Sequence, residues 1–143
     1  MEHSELVSLI QTSTLLAGVV VSCVDRKRFP FTKTQMNIFT VLDMEGDLSM
    51  KRIAQLLGTS QEQATRTVAP LANAGYVERR TDPTNRTRVL IHLTDSGKQI
   101  IEESRQVLIE NLATKLDKSL NIEEKQSLCE AACVMAKILD KIN

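Results

Sequence analysis

Aromatic residues are scarce in this chain, at 3% of 143 residues, and tryptophan is missing altogether. Proteins that bind single-stranded nucleic acid stack successive bases on aromatic rings, so that function is excluded early. Long apolar runs are also lacking. The longest, Leu15 to Val21, is about seven residues, against about 20 for a membrane span, and no membrane partner is expected. Met1 to Glu5 lacks the basic start of a secretory signal, and no cleavage-like segment follows. Cys23, Cys129 and Cys133 are an odd number without framework spacing, which favours reduced thiols in a cytoplasm over structural disulfides. Repeats and low-complexity tracts are absent. There is no Gly-rich phosphate loop, no nucleophile–His–acid set and no metal-ligand spacing, so no catalytic residue, cofactor or metal is expected. His3 and His92 stand isolated.

What is present suits one globular domain of 143 residues with 42% apolar composition. The net charge is zero, but its distribution is uneven. Residues 48–92 carry seven basic side chains (Lys51, Arg52, Arg66, Arg79, Arg80, Arg86, Arg88) and three acidic ones, while both flanks are mildly acidic. A basic middle is a local footprint for a polyanion.

Hydrophobic spacing places a helix at the start, with Leu6, Leu9, Leu16 and Val20 on a stripe too broad for one neighbour. A second begins at Thr32, which forms a capping box with Gln35, buries Met36, Phe39 and Leu42, and ends at Gly46. Ser49 caps a third over 50–57, stopped by Gly58. Ser60 and Gln63 form another capping box that opens a helix to Asn73, with Ala64, Val68 and Leu71 inside. Pro70 predicts a kink or a locally loosened turn there, since proline removes an amide and crowds the preceding turn. The period then changes. Tyr76–Arg80 and Arg88–Leu93 read as strands, with Val89 and Ile91 alternating against Arg88, Leu90 and His92, around the turn Thr81-Asp82-Pro83-Thr84-Asn85. Thr94 caps a helix to about 118. A last helix, about 122–141, is expected to bury Ile122, Leu128, Ala132, Met135, Ile138, Leu139 and Ile142.

The fold class is therefore mainly α with a small β-hairpin (α+β). Helix, tight turn, helix and basic hairpin compose a winged helix-turn-helix centred on 49–92. The major groove, about 12 Å wide, admits an α-helix. Gln61, Gln63, Thr65 and Arg66 lie on the outward face of 60–74. Gln pairs with adenine and Arg with guanine, while Thr meets a thymine methyl or a phosphate. Ser60 offers free amides to a phosphate, and Arg86 and Arg88 reach toward a minor groove. These features point to double-stranded DNA. The rival reading is a winged helix used for protein contact, without autonomous DNA binding. Cys129 and Cys133, four apart, share a helix face and suit packing at a helical interface better than half a zinc site or an oxidisable pair.

The stretch Leu48–Ser60 (LSMKRIAQLLGTS) resembles the "LT…LA..LGVS" segment of the MarR (multiple antibiotic resistance regulator) family. Leu71–Arg79 is similar to its "L…GLVER" segment, and Asp82–Arg86 with Leu93–Gly97 resembles its wing and "LT..G" helix start. Thr32 and Gln35 match its "LT..Q". The resemblance implies a single domain over 1–143, with dimerisation helices at 1–28 and 94–143 around a winged helix-turn-helix at 32–93. It implies a homodimer that represses from a pseudo-palindromic operator and is released by a small-molecule effector or an oxidant. Ser60, Gln61, Gln63, Thr65 and Arg66 fall on the family's DNA-reading positions. Two positions depart from the pattern. The family's wing Asp-x-Arg aligns with Asn85-Arg86-Thr87, so Arg86 or Arg88 must replace the arginine missing at Thr87, and Pro70 stands where a basic or polar residue is usual.

Overall fold

The computed structural model describes residues 1–142. In chain order it has α1 (His3–Ser22), α2 (Lys33–Glu45), β1 (Leu48–Ser49), α3 (Met50–Leu57), α4 (Gln61–Asn73), β2 (Val77–Thr81), β3 (Val89–Leu93), α5 (Asp95–Ser119) and α6 (Ile122–Leu139). The chain divides into two compact units, one of Asp25–Gln106 and one of Met1–Val24 with Val107–Asn143. α5 begins in the first and ends in the second.

The unit Asp25–Gln106 is built around α2. Thr32 caps that helix: its hydroxyl accepts from the Gln35 amide at 3.1 Å, and the Gln35 side chain accepts from the Thr32 amide at 2.9 Å. Both donors belong to the first turn, where the helix has no carbonyls of its own to satisfy them. Ile38, Phe39 and Leu42 are then fully buried against Ile53, Ala64, Val68, Leu71 and Ile91. Phe31, Phe39 and Tyr76 meet edge to face, with ring centroids 5.2 to 5.9 Å apart. The few aromatic rings of the chain are thus spent largely on its core.

The sheet has strand order β1-β3-β2 and is antiparallel throughout. β2 and β3 form the expected hairpin, pairing Val77 with Leu93 and Thr81 with Val89. β1 is an unexpected third strand, pairing Leu48 with Ile91. Ile91 and Leu93 are buried, but Val89, at the start of β3 next to the wing tip, is 51% exposed. α4 is continuous through Pro70, whose exposed ring sits in the last turn without breaking the helix. Gly97, in the first turn of α5, lies directly against the start of β2: a Cβ there would be 2.2 Å from the Tyr76 carbonyl oxygen.

The other unit contains α1, the remainder of α5, and α6. Asn111 Nδ2 donates to the Cys23 carbonyl at 3.0 Å, and Lys115 Nζ donates to Ser22 Oγ at 2.9 Å, tying α5 to the end of α1. Neither α1 nor α6 contains a buried residue. The expected burial along α6 is therefore not met in the single chain: Ile122, Leu128, Ile138, Leu139 and Ile142 are exposed, as are Cys129 and Cys133. The amphipathic pattern marks an apolar face on α6, and no element of the described residues buries it. α1 also amends the reading of apolar runs. It is 20 residues long and contains an 18-residue window with a mean hydropathy of 1.5, so by length and composition it could cross a membrane. Counting uninterrupted runs missed this because Ser, Thr and Gln, rather than charges, break up the helix.

Candidate nucleic-acid interface

α3 and α4 meet through a turn whose geometry is local in origin. Ser49 Oγ accepts from the Arg52 amide at 3.2 Å, starting α3. Gly58 ends it at φ 62°, a left-handed conformation with little penalty only for glycine. Ser60 Oγ accepts from the Gln63 amide at 3.1 Å and starts α4. The reciprocal arm of the expected capping box is absent, so Gln63 keeps its side-chain amide free of Ser60.

Ala64, Val68 and Leu71 fix the inward stripe of α4. With 3.6 residues per turn, the line opposite them passes through Glu62, Arg66 and Asn73, all exposed. Arg66 has no hydrogen-bond or ion-pair partner among the described residues. Gln61 and Thr65 occupy the flank toward the sheet, where they line an open groove of about 330 Å³ with Met50, Arg79, Thr81 and Val89. Gln63 lies on the other flank. Thr65 donates its hydroxyl to the Gln61 carbonyl at 2.8 Å. The expectation that it could donate to a phosphate is thereby narrowed: it presents a methyl group and acceptor lone pairs.

Two side-chain turns in succession shape the wing tip. Asp82 Oδ1 accepts from Thr84 N at 2.9 Å and Thr84 Oγ1 at 2.7 Å. Asn85 Oδ1 accepts from Thr87 N at 3.1 Å and Thr87 Oγ1 at 2.6 Å. Asp and Asn favour such turns because their short side chains reach the backbone two residues on. Thr87, the position where the resemblance leads one to expect arginine, is committed to holding this turn. Arg86 and Arg88 are not equivalent. Arg88 lies 4.0 Å from Asp82 Oδ2, whereas Arg86 is exposed and has no partner among the described residues.

Asp82 is the one buried charged residue among those described. The hydrogen bonds from Thr84, hydroxyl first and amide second, hold its carboxyl below the ordinary 3.8, outweighing the burial that raises it; Arg88 and the Asn85 backbone lower it further. A depressed folded value means that the carboxylate stabilises the wing fully above the unfolded value and loses that effect as pH falls through the folded one. The Thr84 amide resonance should therefore stay constant from neutral pH down to the ordinary carboxylate range and move only in stronger acid. Asp82→Asn should abolish that titration while keeping the turn.

His92 Nδ1 lies 2.7 Å from Asp47 Oδ1 and joins β3 to the segment before β1, a structural pairing. No group of three or more potential metal ligands occurs among the described residues.

The sequence model of the MarR family matches residues 29–86. An uncharacterized HTH-type transcriptional regulator of Mycobacterium bovis is 30% identical over 112 residues, covering 78% of each chain. Among solved structures, a transcriptional regulator from Thermotoga maritima superposes with a TM-score of 0.76 at 22% identity, covering 96% of both chains. A MarR family protein from Bacillus stearothermophilus does so with a TM-score of 0.75 at 22% identity, covering 98% of this chain and 99% of the other.

Proposed function

The chain belongs to the MarR family of transcription regulators, and from that premise we propose that it is a cytoplasmic repressor acting as a homodimer on a pseudo-palindromic, double-stranded operator. A small molecule or an oxidant would release it, as the family resemblance implies. The observation that carries the DNA reading is the pair of unpartnered arginines, Arg66 on the outward line of a capped helix and Arg86 at the tip of the adjoining wing. An exposed guanidinium held free of carboxylates is available to a base edge or a phosphate. Ser60, Gln61, Gln63 and Thr65 supply the remaining contacts of α4, with Arg88 beside Arg86 in the wing. The dimer reading is supported by α1 and α6, which leave Leu6, Leu9, Leu16, Ile138 and Leu139 exposed. Leu9, Ile138 and Leu139 line one open groove, and contiguous apolar surface of that kind marks an interface.

Fluorescence anisotropy on the duplex upstream of its own gene tests the proposal. Binding should saturate at two chains per duplex, and log K should fall linearly with log salt as phosphate contacts displace counterions. Arg86→Ala should weaken binding about three- to tenfold and reduce the salt slope by about 1. Arg88→Ala should do less, because its charge is already shared with Asp82. Equal affinity for a scrambled duplex would refute sequence-specific regulation. Association with a protein partner that is insensitive to salt would favour the protein-contact reading.

A further inference from the structure

The outward line of α4 holds an acidic residue that the charge argument for DNA passes over. Glu62 is exposed, lies one turn before Arg66 on the same line, and faces away from Ala64, Val68 and Leu71. The spacing suits a helical ion pair, yet none joins Glu62 to Arg66, and Glu62 has no hydrogen-bond partner among the described residues. It does not cap the helix either, since Ser60 receives the Gln63 amide. A free carboxylate at the N-terminal end of a recognition helix would face a polyanion, which is unfavourable unless it meets a donor there. In the major groove, cytosine presents its N4 amine as a donor. Adenine also offers an amine, but beside the N7 acceptor, which repels a carboxylate.

We propose that Glu62 is a specificity-determining residue of this interface, accepting a hydrogen bond from the N4 amine of a cytosine close to the guanine met by Arg66. The proposal rests on the DNA reading above and deepens it by naming part of the half-site. The carboxylate contributes selectivity and detracts from affinity, because it repels every phosphate it approaches and is compensated only where the cytosine is present.

The test selects duplexes from a random-sequence library with the full chain, then titrates the selected duplex, its cytosine-to-thymine variants and an unselected duplex. For the wild-type chain, replacing one cytosine in each half-site should weaken binding about five- to tenfold per half-site. In Glu62→Ala the same replacement should change affinity less than about twofold, while the unselected duplex is bound about two- to threefold more tightly for want of the repelling charge. Glu62→Gln keeps the side chain's shape and should shift selection at that position from cytosine to adenine, whose donor and acceptor match an amide. An unchanged cytosine preference in both variants would overturn the proposal and leave Glu62 as a helix-terminus charge. A wild-type chain that selects no sequence would instead refute the underlying DNA reading, an outcome visible before any variant is made.

Discussion

Gly97→Ala is expected to destabilise the Asp25–Gln106 unit by about 3 kcal/mol or more, at the upper end of what overpacking does. The added Cβ would lie 2.2 Å from the Tyr76 carbonyl oxygen and 2.6 Å from Leu93 Cδ1. Neither can withdraw easily. The Tyr76 oxygen accepts from Thr94 N at 3.1 Å and from Thr94 Oγ1 at 2.9 Å, and Leu93 is buried in the core. Thr94 Oγ1 in turn receives the Gly97 amide at 3.2 Å, so moving α5 away from β2 breaks the cap that starts it. Thermal unfolding should register a midpoint lower by roughly 10 °C. Gly58→Ala provides the contrast. A Cβ there meets nothing within 4 Å, so only the left-handed backbone resists it, at about 1–2 kcal/mol. Equal losses for the two variants would mean that the close approach at Gly97 has no steric consequence. The same contact gives a physical reason for the glycine in the "LT..G" segment.

The second large effect concerns binding. On the proposed reading, Arg66→Ala would remove a pairing worth about 1–3 kcal/mol at each half-site, and a two-fold complex would contain that pairing twice. Operator affinity should fall about a hundredfold or more, with thermal stability unchanged, because Arg66 has no partner to lose among the described residues. Arg66→Lys should recover only part of it: a lysine keeps the charge for phosphates but lacks the planar fork that matches guanine. Anisotropy at fixed salt, with the unfolding midpoint as control, measures both. A loss of less than about threefold in Arg66→Ala would remove this residue from the interface.

Much of this architecture was legible because its determinants are local. The Thr32–Gln35 box, the Ser49 and Ser60 caps and the Gly58 stop each depend on residues within one turn, and each appears where spacing placed it. β1 was not legible. Its two residues are too few to alternate, and its pairing with Ile91 and Leu90 depends on a strand about forty positions away. Alternation likewise reports which face of a strand a residue is on but not whether anything covers that face, as the exposed Val89 shows. The α6 stripe shows the same limit on a larger scale. At the site, the outward position of Arg66 followed from helical spacing. The commitments of Thr65 and Thr87 to internal hydrogen bonds did not, nor did the difference between a free Arg86 and an Arg88 beside Asp82.

The two locked turns of the wing have a kinetic consequence. A duplex meeting this tip would encounter a finished surface instead of a loop that must first be ordered, so little conformational entropy is lost at the moment of contact. Association would then be limited by diffusion and by the steering of the basic module, and residence time would be left to the contacts of α4.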